Sequence, residues 1–290
     1  MTERHAVVLG TGLLGTSIGL ALRGRGWKVT GWDPEPASLQ EAMGRGGFDA
    51  AAAEPDVDDA DLVFLASPPD AVADTLRGME TTALVTDVTS VKSPIVAAAG
   101  HLPHFVGGHP MAGGETSGAT LASSSLFHGA TWVLTSDGAD LGDIATMEEV
   151  VSSFGANPVV MTAEDHDAAV ATVSHLPHVL AAALMSLAAT DASSMALAGG
   201  GFRDLTRIAA ADAGWWTEVL ASNAEHVAAS IDQLEAALAD WRKAMLERRV
   251  ADLSEALDEA RRARLGLGEH HTQVRVLLLD RPGEIAKAIG

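Results

Sequence analysis

Apolar positions follow two rhythms along the chain. Up to about Met161, short β-branched or apolar runs alternate with helix-length segments. The runs are His5–Leu9, Trp27–Trp32, Leu62–Ala66, Ala83–Thr86, Phe105–Gly107, Thr131–Thr135 and Pro158–Met161, and the helical segments include Leu13–Arg25 and Leu141–Phe154. This alternation predicts βαβ units and a doubly wound, mainly parallel sheet with helices on both faces. After Thr162 the strand-like runs vanish, and alanine-rich, helix-period sequence continues to about Leu265. Within it Val227, Ile231, Leu234, Leu238, Trp241 and Met245 recur at spacings of 4, 3, 4, 3 and 4, a narrow apolar seam on one long helix. Packing inside the monomer and a subunit interface both fit that seam. The last segment, Gln273–Asp280 followed by Arg281-Pro282-Gly283 and Glu284–Ile289, reads as a strand, a turn and a started helix.

Two apolar stretches have membrane-like composition. His5 to Leu22 is broken by Gly10, Gly12, Gly15 and Gly19, which suits a buried strand–turn–helix better than a signal peptide. Ala168 to Ala189 carries His175, Pro177 and His178 mid-run, which a helix buried in protein tolerates and a lipid-exposed span does not. No membrane association is expected, and the cytoplasm is the expected compartment. The 290 residues carry 39 acidic against 19 basic side chains, a formal −20. Such a polyanion repels a phosphate backbone, which argues against nucleic-acid binding. An anionic ligand would need a cationic cluster that stands out from this background. Cysteine is absent, which excludes disulfides, thiolate metal sites and cysteine nucleophiles, and no histidine set has metal-ligand spacing.

Gly10-Thr11-Gly12-Leu13-Leu14-Gly15 matches the dinucleotide fingerprint, directly after a predicted strand and opening a predicted helix. Gly10 permits the tight turn, Gly12 lets a pyrophosphate approach the backbone and Gly15 lets helix and strand pack closely. The pyrophosphate is then expected against the helix N-terminus, on the amides around Leu13 and Leu14. Asp33 ends the second strand, where a carboxylate hydrogen-bonds ribose hydroxyls and repels a 2′-phosphate; Pro34, Glu35 and Pro36 add no arginine. NAD is therefore favoured over NADP, with Ser67 after the third major strand as a further cofactor contact. The fold class that results is α/β: a Rossmann-type sheet followed by an all-helical domain. Tyrosine is also absent, so the phenol used by short-chain dehydrogenases is unavailable and proton chemistry falls to another group, histidine first.

Four segments follow in order: Thr86-Asp87-Val88-Thr89-Ser90-Val91-Lys92, Gly107-Gly108-His109-Pro110-Met111-Ala112-Gly113, Ser174-His175-Leu176-Pro177-His178, and Gly199-Gly200-Gly201-Phe202-Arg203-Asp204-Leu205-Thr206-Arg207. Behind a dinucleotide fingerprint they resemble the prephenate dehydrogenase family over about residues 5–250. The resemblance implies NAD-dependent oxidative decarboxylation of prephenate to 4-hydroxyphenylpyruvate, in tyrosine biosynthesis. It implies a dinucleotide-binding domain over residues 1–162, a helical substrate-binding and dimerisation domain over 163–266, and a homodimer. By the same resemblance, His109 accepts the proton of the substrate hydroxyl from a glycine-rich loop, and Ser90 bonds the same hydroxyl or orients His109. Arg207 clamps one carboxylate of the dianionic substrate and His178 assists on the second. His175 lines the pocket a helical turn away, Arg203 completes a cationic spot, and Glu115 and Asp204 form an ionic gate.

If neutral His109 is the base, the rate should fall as pH drops through about 6.5, the ordinary histidine value. His101, His104, His128, His166 and His226 read as loop or polar-face residues, and His270 and His271 as linker. The tail over residues 267–290 resembles the opening strand, turn and helix of an ACT domain; such a fragment cannot close a ligand pocket, so no amino-acid regulation through it is expected. Arogenate and 4-amino-4-deoxyprephenate remain alternative substrates. A β-hydroxyacid-type dehydrogenase would need a framed catalytic lysine in the second domain, where Lys243 has no glycine-rich frame, and a non-enzymatic NAD-binding regulator would not need His109, Ser90 and Arg207 together.

Overall fold

In the computed structural model, which describes residues 4–113 and 118–267, the apolar runs become strands within a residue or two of expectation. The order is β1 (His5–Leu9), α1 (Leu13–Arg23), β2 (Lys28–Trp32), α2 (Pro36–Gly44), β3 (Ala50–Ala51), β4 (Leu62–Leu65), α3 (Pro69–Gly78), β5 (Leu84–Asp87), α4 (Ser93–Ala98) and β6 (Phe105–Val106). These strands make one six-stranded sheet, β3-β2-β1-β4-β5-β6, in which every neighbouring pair is parallel. Strand order reverses across β1 and β4, so the carboxyl ends of those two strands flank the crevice where open α/β sheets bind ligands.

Successive residues of β1 serve opposite faces, as the pleat requires. Ala6 and Val8 join a core with Ile18, Leu22, Phe127 and Trp132, while Val7 and Leu9 join Val72, Leu76 and Ile95. Both faces are thus covered, which explains why these strands read as continuous apolar runs.

The expected single sheet is in fact two. The segment predicted as strand Phe105–Gly107 stops at Val106, and a new strand β7 (Gly108–Pro110) starts a three-stranded sheet with β8 (Thr131–Thr135) and β9 (Asn157–Met161). β7 and β8 pair antiparallel and β8 and β9 parallel, with α5 (Leu141–Ser153) between the latter two. The change of sheet happens at two glycines for a steric reason. A Cβ on Gly107 would sit 2.8 Å from Thr135 Oγ1, and one on Gly108 would sit 2.5 Å from the Asp87 carbonyl oxygen.

From Ala163 onward the described chain is helical. α6 (Ala163–Val170) is capped by Thr162, whose hydroxyl accepts from the Asp165 amide. A π turn over Ala171–His175 then leads into α7 (Leu176–Ala189). Helices α8 (Ala192–Ala196), α9 (Gly200–Thr206), α10 (Ala213–Ser222), α11 (Ala224–Leu246) and α12 (Val250–Gly266) follow, with a 3₁₀ turn at Arg207–Ala210. Ala163–Ala189 is long and apolar enough to cross a membrane by length and composition alone. Within it, however, His166, Asp167 and His175 are at most 1% exposed.

The chain divides into two compact units, residues 1–232 and 233–290, with the break inside α11. In the first, the apolar seam begins with buried Val227 and half-buried Ile231; in the second, Leu238 and Met245 are 53% and 56% exposed. Glu115 and the ACT-like tail beyond Leu267 lie outside the described residues.

Candidate active site

The glycine turn between β1 and α1 has the shape a dinucleotide needs. Gly10 has φ +100°, and a Cβ there would lie 2.6 Å from the Ala66 carbonyl and 2.8 Å from Ser67 Oγ. A Cβ on Gly15 would come within 1.9 Å of the Gly10 carbonyl oxygen, so no side chain fits. Over Gly12, by contrast, a Cβ would meet nothing within 4 Å. Gly12 caps α1 without any side-chain hydrogen bond, and no acid occupies the first turn. Open space above uncapped helix N–H groups suits a pyrophosphate. At the end of β2, Asp33 Oδ2 accepts from the Thr11 amide (2.7 Å) and hydroxyl (3.0 Å), and Oδ1 from the Glu35 amide (3.0 Å). These contacts hold the carboxylate beside the turn and use three of its four acceptor positions.

His109 sits on β7 itself rather than in a loop, 9% exposed. Its Nδ1 lies 2.8 Å from His166 Nε2, and His166 Nδ1 lies 2.7 Å from Asp167 Oδ1. Burial would raise the Asp167 carboxyl, but hydrogen bonds from His166 and from the Lys92 and Ser93 amides hold it below the ordinary carboxylate range. The ionised Asp167 can only accept, which puts a proton on His166 Nδ1. With that single proton on His166, its Nε2 accepts from His109 Nδ1, which leaves the lone pair of His109 on Nε2. Burial first, then the charges of His166, Lys92 and His175, push His109 well below the ordinary histidine value, with Asp167 opposing. The expectation of an acid limb near pH 6.5 is therefore corrected: the ring stays neutral to lower pH.

The strand that presents His109 is gripped by a buried ion pair. Lys92 Nζ donates to Asp87, to Thr89 Oγ1 (3.0 Å) and to the Gly108 carbonyl (2.7 Å), while Asp87 Oδ1 accepts from the Gly108 amide (3.0 Å). Lys92 and Asp87 are both fully buried. Burial lowers the Lys92 ammonium from its ordinary value and Asp87 opposes that shift. One carboxylate and one ammonium thus hold both backbone polar groups of Gly108, the residue preceding His109.

The prephenate dehydrogenase nucleotide-binding domain matches residues 18–160, and the prephenate dehydrogenase dimerization domain matches residues 162–259. The chain belongs to the prephenate dehydrogenase family. It is 35% identical to a prephenate dehydrogenase of Lactococcus lactis over 77% of this chain, and spans 66% of that relative's length. Among solved structures, it is similar to the prephenate dehydrogenase of Aquifex aeolicus in complex with hydroxyphenyl propionate and NAD+, with a TM-score of 0.85 and 29% identity over 92% of this chain and 99% of that one. Arogenate dehydrogenase of Synechocystis superposes with a TM-score of 0.77 and 28% identity, over 90% of this chain and 98% of that one.

In this member of the prephenate dehydrogenase family, the expected residues fall into two groups. His175 is 1% exposed, its Nδ1 3.1 Å from Asn223 Nδ2, and burial lowers it to about 4. Half-buried His178 stacks on Trp216, ring centroids 3.4 Å apart and 21° from parallel. Burial lowers His178 as well, opposed by the Ile208 carbonyl. Arg203 and Asp204 on α9 and Arg207 on the following 3₁₀ turn are exposed. Ser90 is half-buried, and the ring of His109 takes its orientation from His166 instead.

The reading of His166 as a polar-face residue is overturned: it is 1% exposed and bonded to His109. Residues 164–167, Glu-Asp-His-Asp, look like a solvated first helical turn, and only the fold reveals that one side of that turn meets β7. Asp167, Asn223, Trp216, Lys92 and Asp87 likewise carry no signal of a role in the sequence. A surface cavity of about 560 Å³, lined by Arg4, Arg25, Trp27, Asp143 and Glu149 among others, lies at the opposite, amino-terminal end of the sheet and contains none of the candidate site residues.

Proposed function

We propose that this chain is an NAD-dependent dehydrogenase that converts prephenate to 4-hydroxyphenylpyruvate and carbon dioxide. The observation that carries the reading is the His109–His166–Asp167 chain, because it leaves an unprotonated His109 Nε2 in a buried setting, ready to accept a proton. NAD+, when bound, would supply the acceptor for the hydride that leaves ring C4 of the substrate. His109 Nε2 takes the proton of the C4 hydroxyl as the oxygen becomes a carbonyl. The C1–carboxylate bond then breaks, carbon dioxide leaves with aromatisation, and the carbonyl oxygen regains a proton as a phenol. His166 and Asp167 hold the His109 tautomer and stabilise the positive charge that it acquires.

In this reading Ser90 bonds the same hydroxyl, Arg207 clamps a carboxylate with Arg203 nearby, and His178 and His175 line the pocket. Glu115 and Asp204 gate it. The cofactor lies along Gly10, Gly12, Leu13, Leu14, Gly15, Asp33 and Ser67, with residues 1–162 as its domain and 163–266 as the substrate and dimerisation domain. A homodimer is supported by the match to a dimerization domain and by apolar side chains left in water, such as Val173 (69% exposed), Leu187 (70%) and Leu197 (85%). The cytoplasm is the compartment such an enzyme would occupy.

Arogenate is the second reading, favoured by the likeness to the Synechocystis enzyme. Steady-state rates with prephenate, arogenate and 4-amino-4-deoxyprephenate, each with NAD+ and NADP+, are expected to give the highest kcat/KM for prephenate with NAD+. His109→Asn should lower turnover by about 10²–10⁴-fold while NADH still binds. A His109→Asn enzyme with unchanged turnover would remove the proposed base.

A further inference from the structure

We infer that Asn223 fixes the tautomer of His175 and thereby makes that ring a neutral Nε2–H donor for a carboxylate or carbonyl oxygen of the substrate. Asn223 Nδ2 lies 2.8 Å from the backbone carbonyl oxygen of Asp167. A carbonyl oxygen only accepts, so the atom facing it must be the amide NH2 group and not its oxygen. The second hydrogen of that NH2 group is then available to His175 Nδ1, 3.1 Å away. Nδ1 must accept, which places the ring proton on Nε2.

That Nε2–H is buried and, among the described residues, has no hydrogen-bond partner. A buried donor left unmade costs free energy, so its retention calls for an acceptor that arrives from outside the protein. The surroundings agree. His175 meets the edge of Trp216 at 6.0 Å, and Trp216 carries the stacked His178 on its face. Burial lowers the ring to about 4, with His166 and His178 acting in the same direction and Asp167 opposing them. At neutral pH it therefore donates as an uncharged imidazole. It can grip an anionic oxygen without itself becoming a second general base beside His109.

Asn223 is in this sense a positioning residue: it acts on the substrate only through His175. Because Asn223 also holds the Asp167 backbone, the same amide ties His175 to the segment that carries His166. The inference rests on the prephenate reading for the identity of the acceptor, but not for the tautomer.

Heteronuclear NMR of protein labelled with 15N-histidine reads the tautomer directly and needs no substrate. Wild-type protein near pH 7 should show His175 protonated on Nε2 only, with that signal moving when 4-hydroxyphenylpyruvate is added. Asn223→Ala should populate the Nδ1–H form. A wild-type ring protonated on Nδ1, or an Asn223→Ala protein with the tautomer unchanged, would overturn the assignment. For the donor role, His175→Gln puts an amide nitrogen where Nε2 was, and His175→Asn puts one where Nδ1 was. With prephenate, His175→Gln should keep KM within a few-fold, while His175→Asn should raise it about ten-fold or more, with NADH affinity equal in both. Equal losses in the two variants would sink the donor role. Absence of any wild-type turnover would sink the prephenate reading, while the NMR result would still stand.

Discussion

His109, His166 and Asp167 are at most 9% exposed and bonded in series, whereas Arg203, Asp204 and Arg207 lie at the surface on a short helix and a 3₁₀ turn. The difference follows from what each side is proposed to do. A proton acceptor works only if the correct nitrogen is bare before substrate arrives, and that demands fixed partners in a dry setting. A guanidinium is charged at every relevant pH, so its protonation state need not be set beforehand by a dry setting. The buried side is paid for in desolvation, and the exposed side in side-chain entropy on binding.

The sharpest way to break the comparison is at the buried ion pair. Lys92→Met leaves Asp87 charged and unpaired in the core, and should cost about 3–5 kcal/mol in denaturant unfolding. The double change Asp87→Asn with Lys92→Met should recover part of that loss, because no lone charge remains; a double variant less stable than the single one would contradict the pairing. Asp167→Asn comes next. With the carboxylate gone, His166 no longer has an ionised acceptor to hold its proton on Nδ1, so kcat should drop about 100-fold or more with KM nearly unchanged.

Acid pH probes the same side more gently. His175 titrates at about 4 in the fold against about 6.5 in an unfolded chain. Between those values the unfolded chain binds a proton that the folded ring refuses, so stability falls as pH drops through that window. The ring's share is of the order of 3 kcal/mol, and above pH 6.5 the penalty is absent. His109, also depressed, acts in the same direction. Melting temperatures at pH 7, 5.5 and 4.5 should show the decline, and His175→Gln should make it shallower. The smallest effect belongs to the exposed side: Arg207→Lys should raise KM for prephenate about ten-fold through loss of the planar fork, with kcat little altered. If Arg207→Lys damaged kcat more than Asp167→Asn did, the contrast between the two sides would collapse.

How much of this was legible in the chain differs by element. The parallel sheet was legible because its strands are buried on both faces and read as apolar runs, and the glycine turn because each glycine has its own steric reason. His109 stood out through its flanking glycines, two of which carry the chain from one sheet to the other. His166 was hidden by its neighbours: Glu164 and Asp165 immediately before it make the segment look solvated. Asn223 was hidden by distance, since its partners Asp167 and His175 are 56 and 48 residues away. Hydrogen bonds of that range leave no periodic trace in a sequence. The break between sheets at Gly107 was missed because strand propensity cannot tell one sheet from another.

The π turn at Ala171–His175 has a consequence for how this segment can vary. Each residue of a regular helix advances about 100°, so the nine steps from His166 to His175 would leave the two rings on opposite sides of a straight rod. Both are nonetheless buried, because the wider turn between them changes the angular phase. The same residues wound as regular helix would swing everything downstream, His178 included, by about a quarter turn. Loss of one residue from the turn, by contrast, would restore a regular helix and leave His178 near its present angle, because a π turn holds one residue more than the α turn it replaces.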